Sequence, residues 1–391
     1  MKHSFSQRVL SIQELIFRKL DSLRSQSGPD LVDLSRGLPQ GLPPREVLSE
    51  LSLRLKYPEN HIYTTDKGLK YLREEVAYFY KDMYEVELDP ETEVQILIGG
   101  KDGLASIAQA CVDNGESAIV PDPAFPAFAN CVRLAGGTPL TLPLKEENGY
   151  IPELKDLKEL ATKKPKLMYV NYPHNPTGAT CTLEDFKVFL DFAREHNIVV
   201  CYDAVYRDLS FQKHPTMLEL KDAKDCCVEI GSLSKTFDMV GWRTAYMVGN
   251  KEIIAQVRKV KSVFDVGQFV PIQYSAALAL KMTSYIDEVA RKYEKKMDET
   301  ITLMNGIGLN PYESKAAFFV WTKLPNGYKS SEAFVNEVWE QTKLLLMPGV
   351  GFGKYGEGYF RISTTAEMEK IREGVSRLKT FLSKSEMSIA P

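Results

Sequence analysis

No apolar run in these 391 residues approaches the roughly 20 that a bilayer-spanning helix needs. The amino terminus interleaves charges with Val9, Leu10, Ile12, Leu15 and Ile16 and builds no signal-peptide core, so a cytoplasmic location is expected. Excess charge is missing too. The 49 Lys+Arg against 52 Asp+Glu leave a net charge of −3, too little basicity for nucleic acid to be an expected partner. The six cysteines, at 111, 131, 181, 201, 226 and 227, include no Cys-x-x-Cys pair and read as reduced, mostly buried thiols. The five histidines, at 3, 61, 174, 196 and 214, lack ligand spacing, so no metal is expected. Internal repeats and low-complexity tracts are also absent, which removes solenoid architectures.

What is present is alternation. Between about residues 94 and 264, short β-rich runs at 94–98, 117–120, 139–144, 166–171, 198–203, 227–231 and 244–248 are separated by helical patterns. In the stretch 182–196, for example, Leu183, Phe186, Phe189, Leu190 and Ala193 share one stripe. The pattern predicts an α/β fold, a mostly parallel sheet covered by helices on both faces, with its ligand crevice at the carboxyl ends of the strands. Upstream, Leu69, Leu72, Val76, Phe79 and Met83 predict a helix leading into the sheet. The character changes near 285: helices at 285–304 and 331–342, strands at 317–321 and 359–362, then a closing helix. The length exceeds what a single core usually serves. The expected division is a large domain at 46–284 and a smaller α+β domain at 285–391, joined by the segment 1–45.

Four strings at strand ends carry chemistry. Ser232-Leu233-Ser234-Lys235, with Arg243 of Gly241-Trp242-Arg243 eight residues after the lysine, sets an amine among small hydroxyls beside a second cation. Burial and a neighbouring cation both lower an amine pKa, which suits Lys235 to covalent capture of an aldehyde whose phosphate the neighbours hold. Asn171-Tyr172-Pro173-His174-Asn175-Pro176-Thr177-Gly178 is a rigid turn that can present the Asn175 amide. Asp203-Ala204-Val205-Tyr206 places a carboxylate at the sheet edge, able to pair with a protonated ring nitrogen, with a phenol three residues on. Gly99-Gly100-Lys101-Asp102-Gly103 lets backbone N–H groups approach a phosphate at a helix amino end, although it meets neither the Walker nor the dinucleotide spacing. Each string alone has a bland reading as a serine-rich turn, a helix start, a cap or a glycine turn.

In this order and spacing the four strings resemble the class I and II aminotransferases, pyridoxal-phosphate enzymes of fold type I, over nearly the whole chain. The resemblance implies that Lys235 carries the cofactor and moves the substrate α-proton, and that Asp203 keeps the pyridine nitrogen protonated. It implies that Tyr206 and Asn175 bond the ring hydroxyl oxygen, while Phe125, in Asp122-Pro123-Ala124-Phe125, stacks on the ring. Gly100, Lys101, Ser232 and Arg243 match the phosphate-holding positions. Tyr63 matches a tyrosine that reaches the partner subunit's phosphate, which implies a homodimer with shared active sites. Arg361, in Tyr359-Phe360-Arg361-Ile362-Ser363, matches the arginine that clamps the substrate α-carboxylate, and Gly37 would lie against the substrate backbone. Two departures stand out: Phe125 replaces a tryptophan or tyrosine, and Leu38 replaces an acidic residue.

The resemblance implies reversible transamination between an L-amino acid and a 2-oxo acid, with glutamate and 2-oxoglutarate as one pair. Lys261-Ser262-Val263-Phe264-Asp265-Val266-Gly267 and Pro348-Gly349-Val350-Gly351-Phe352-Gly353 are most similar to the alanine and LL-diaminopimelate aminotransferase branch, with aspartate as a further candidate substrate. The alternative on the same fold is a C–S β-lyase. A cofactor-sensing module of the kind fused to transcription regulators would need a DNA-binding segment, whereas the aminotransferase pattern here starts within the first 40 residues.

Overall fold

The computed structural model describes residues 4–13 and 16–389. His3, Leu15 and the outermost ends of the terminal segments 1–45 and 285–391 lie outside the described residues.

The first strand, β1 (Val32–Asp33), belongs to the small sheets. The large sheet is built from β2 (Val94–Leu97), β3 (Ser117–Asp122), β4 (Thr138–Pro143), β5 (Leu167–Asn171), β6 (Val199–Asp203), β7 (Cys227–Ser232) and β8 (Ala245–Gly249). Each expected strand is present within one or two residues at its ends. The order is β2-β8-β7-β6-β5-β3-β4, and β8 alone runs antiparallel to its neighbours. Because side chains alternate along a strand and both faces are covered, the central strands read as continuous apolar runs. In β5, Leu167 and Tyr169 enter one core cluster while Met168 and Val170 enter the other.

Helices close both faces where the periodicity placed them. Lys70–Tyr84 buries Leu72, Val76 and Phe79. Leu183–His196 begins on Thr182, whose hydroxyl accepts the Asp185 N–H while the Asp185 carboxylate accepts the Thr182 N–H. That reciprocal cap satisfies two N–H groups that a helix start otherwise leaves open.

Past the helix Thr283–Asn305, β9 (Phe319–Lys323), β10 (Leu344–Leu345), β11 (Met347–Pro348) and β12 (Tyr359–Ser363) follow. The antiparallel sheet β11-β12-β9 carries a third core with Val320, Phe360 and Ile362. Expected at Ala317, the first of these strands starts two residues later. Ala317 sits at φ 62 and donates its N–H to Leu209 O at 2.9 Å, so the chain is still turning there. The two-residue strands β1, β10 and β11 escape the period-two signal because they are too short to alternate. β1 pairs in parallel with β10, which ties the amino-terminal segment to the carboxyl-terminal sheets.

Candidate active site

Asn171, Asp203 and Ser232 are the last residues of three adjacent parallel strands, and Asn171 and Asp203 are register partners. Their side chains therefore open at one carboxyl edge, where a cavity of about 440 Å³ has formed. Gly37, Gly100, Lys101, Phe125, Asn175, Asp203, Tyr206, Ser232, Lys235, Arg243 and Arg361 all line it, so the structure brings together every site residue expected from sequence except Tyr63. Tyr63 is 87% exposed, on the outer surface of this chain.

A run of hydrogen bonds fixes the wall. Asn171 Nδ2 donates to Asp203 O at 2.8 Å, and the Asn175 N–H donates to Asn171 Oδ1 at 3.1 Å. Arg361 Nη1 donates to Asn175 Oδ1 at 2.7 Å, and Nη2 donates to Ser35 O at 2.8 Å. With its oxygen occupied by a guanidinium, Asn175 keeps its Nδ2 for another acceptor. Arg361 lies between two rings, 4.2 Å from the Phe319 centroid and 4.7 Å from that of Phe352. Burial lowers its pKa to about 10, against an opposing effect of Tyr206, and its buried Nε has no partner among the described residues. An orphaned donor on a buried cation is suited to a carboxylate from outside the chain.

Lys235 follows β7 in the short helix Leu233–Thr236, and its Nζ donates to Gly37 O at 2.7 Å. Burial first, then the charges of Arg361 and Arg243, lower its pKa to about 8. A substantial share of the amine is thus neutral near pH 8. Asp203 is the opposite case: burial raises its carboxyl to about 7, eased only by a long bond of 3.4 Å from the Val205 N–H. A carboxylate this buried, without a charged partner among the described residues and facing a cavity, needs a cation brought in. Tyr206 closes the same wall, its phenol pushed up by burial, and packs edge-on to Phe319.

At the far end, the helix Gly100–Cys111 points its amino terminus at the cavity. Gly99 stands at φ +79 so close to Arg243 that a Cβ would fall 1.9 Å from Nη2. Only glycine lets the guanidinium lie there. Arg243 itself adopts φ 59 and donates from Nη1 to Val240 O at 2.8 Å. Ser232 Oγ accepts the Ser234 N–H at 3.2 Å. Backbone donors, hydroxyls and a guanidinium at one end, an aromatic face at Phe125 and an unpaired carboxylate opposite match the three chemical parts of a phosphorylated pyridine aldehyde.

Sequence reasoning passed over several neighbours. Asn171 and Ser234 stood inside the motifs as spacers, yet both line the cavity. Phe319 had no local signal. It sets the limit behind Gly37, where a Cβ would lie 2.7 Å from its ring. Arg207, next to Tyr206, is fully buried and pairs with Glu229 Oε2 of β7 at 3.4 Å, anchoring the turn after β6 to the sheet.

The aminotransferase class I and II family model matches residues 29–378. An LL-diaminopimelate aminotransferase of Aquifex aeolicus is 40% identical over 386 residues, covering 96% of this chain and 99% of that protein. Another, from Moorella thermoacetica, is 35% identical and covers 97% and 99%. Among solved structures, the substrate-bound BacF of Bacillus subtilis superimposes with a TM-score of 0.94 at 32% identity, covering 97% of this chain and 98% of the other. The curated relatives are named aminotransferases, which does not favour the β-lyase alternative. No helix among the described residues is long and apolar enough to cross a membrane. With family, fold and cavity in agreement, the chain belongs to the class I and II aminotransferases, and its cofactor is pyridoxal 5′-phosphate.

Proposed function

We propose that this aminotransferase works on LL-diaminopimelate, exchanging its amino group with the glutamate and 2-oxoglutarate pair in two alternating half-reactions. The substrate reading rests on the near full-length similarity to relatives of that name. The residue roles rest on one observation: the Lys235 amine, the unpaired Asp203 carboxylate and the orphaned Arg361 donor converge in one cavity.

When bound, the cofactor supplies an electron sink for the charge that develops at the substrate α-carbon. Arg361 grips the α-carboxylate, already aimed by Asn175 and Ser35. Lys235 Nζ would hold the cofactor through its aldehyde, with loss of water, and would carry the substrate α-proton. Asp203 would hold a proton on the ring nitrogen, and Asn175 Nδ2 and the Tyr206 hydroxyl would donate to the ring hydroxyl oxygen. Phe125 would cover the ring, Gly100, Lys101, Ser232 and Arg243 would hold the phosphate, and Gly37 would lie along the substrate backbone. The chain is read as a large domain at 46–284 and a small domain at 285–391, and the pairing of β1 with β10 supports joining the segment 1–45 to the latter. Six free cysteines suit the reducing cytoplasm.

The test is spectroscopic. L-glutamate and LL-diaminopimelate, each mixed alone with the holoenzyme, are expected to shift the cofactor absorbance to the amine form, and the matching 2-oxo acid to restore it. Failure with LL-diaminopimelate alone removes the substrate reading; failure with a wide amino-acid panel removes the reaction.

Tyr63 has its place in a homodimer. It is highly exposed, as are Ile62, Val263, Phe264 and Val266. His61 packs edge-on to Phe269 at 5.7 Å, so the segments around 62 and 264 form one apolar face. Such a face is suited to a second copy, whose cofactor phosphate Tyr63 would reach. Val263→Asp with Phe264→Asp is expected to halve the mass in light scattering and weaken cofactor binding about tenfold, since burying charge at an apolar interface is costly. An unaltered dimer would move the interface elsewhere.

A further inference from the structure

Beside the turn that would receive the cofactor phosphate lies a charge cluster, its lysine buried and its two carboxylates partly so, that transamination itself does not use. Lys261, on the helix Lys251–Phe264, has a side chain only 1% exposed. Its Nζ lies 2.7 Å from Asp102 Oδ2 and 2.8 Å from Asp265 Oδ2. Asp102 stands in the first turn of the helix Gly100–Cys111, immediately after the cavity-lining Gly100 and Lys101. Its Oδ2 also accepts the Ile98 N–H at 2.8 Å, which holds the carboxylate at the root of the glycine turn. The other end of the cluster is equally fixed. Asp265 Oδ1 accepts the Gly267 N–H at 2.8 Å, and Gly267, at φ +96, lies where a Cβ would be 2.4 Å from Thr65 O.

A carboxylate at this helix start suits the helix dipole but opposes a phosphate dianion received by the same turn. Like charges repel in a site only partly open to solvent, and salt screens them less there than at an exposed surface. Something must cancel the Asp102 charge before the phosphate can settle. We propose that Lys261 is a positioning residue for the cofactor phosphate, neutralising Asp102 and tying the glycine turn to the 265–267 loop. The inference rests on the reading that Gly100, Lys101, Ser232 and Arg243 hold the phosphate.

This role differs from ordinary structural support in one respect: it concerns only the phosphate. Equilibrium binding to the cofactor-depleted protein therefore compares pyridoxal phosphate with pyridoxal, which lacks that group. Lys261→Met is expected to weaken pyridoxal phosphate about tenfold or more and leave pyridoxal within about twofold, the scale of an unmasked like charge. In Lys261→Met with Asp102→Asn, phosphate affinity is expected to return to within about threefold of the parent. Asp102→Asn alone, which keeps the ammonium, should bind pyridoxal phosphate as well as the parent or better, and serves if Lys261→Met does not fold. Equal losses for both ligands, a double variant as weak as Lys261→Met, or a tenfold loss in Asp102→Asn would overturn the role. Arg243→Ala separates the underlying reading: if it too spares phosphate affinity, the phosphate end is misplaced. If Arg243→Ala weakens pyridoxal phosphate selectively and Lys261→Met does not, only Lys261 loses its role.

Discussion

Lys235→Ala is expected to leave a folded protein whose turnover falls by about 10⁴-fold or more, since both nucleophile and proton carrier are lost together. The fold should tolerate the change. Lys235 Nζ donates one hydrogen bond to Gly37 O, and as a half-buried cation it stands near the charges of Arg361 and Arg243. Truncation removes that repulsion, so the cofactor-free variant should melt no lower than the parent. Borohydride reduction of the parent holoprotein should fix the cofactor to residue 235, and in the variant to no lysine of this cavity. The lowered pKa supplies a further check. Because the amine captures an aldehyde only when neutral, cofactor uptake by the depleted protein should quicken as pH rises through about 8 and level off above it. An arginine replacement keeps charge and length without the reactive amine, so activity in Lys235→Arg close to that of the parent would remove the assigned role.

Why this lysine could be singled out from sequence, while its neighbours could not, follows from how each is positioned. Lys235, Asp203 and Asn175 stand at or just after the ends of central strands, and a continuous apolar run of five or six residues that stops at a polar residue announces its own carboxyl end. The β5, β6 and β7 strands were legible for that reason, and the cavity follows from their parallel pairing. Phe319 and Phe352, which flank the Arg361 guanidinium, come from segments more than 140 residues away in the chain from Asn175, and only tertiary packing brings them there. Glu229 was hidden differently. An acid inside an apolar strand looks like an exposed edge, yet it is fully buried because Arg207, Tyr80 and Thr216 come to meet it from three other segments. Reversal of β8 was equally silent, because strand direction depends on the path of the connection and not on composition.

Asp203→Asn is expected to lower kcat by about 10²–10³-fold, the loss of roughly 3–4 kcal/mol that follows when a charge-assisted bond to the ring nitrogen becomes a neutral one. The same substitution should act with opposite sign on the cofactor-free protein. In the folded chain burial raises the Asp203 pKa to about 7, whereas an unfolded aspartate titrates near 4. Between those values the folded state binds more protons than the unfolded one, so stability falls as pH rises from about 4 to about 7 and is flat above. A shift of this size corresponds to an order-of-magnitude ceiling of about 4 kcal/mol at pH 8. Asparagine does not titrate, so the cofactor-free variant should match the parent near pH 4.5 and exceed it at pH 8. Adding cofactor reverses the ranking: the parent gains a cation for its buried charge, while the variant gains only a weaker bond. Urea titrations of both proteins at the two pH values, with and without cofactor, read all four states. A parent at least as stable as the variant at pH 8 without cofactor would mean that the Asp203 charge is already balanced within the chain, and the carboxylate would then have no electrostatic need for the ring nitrogen.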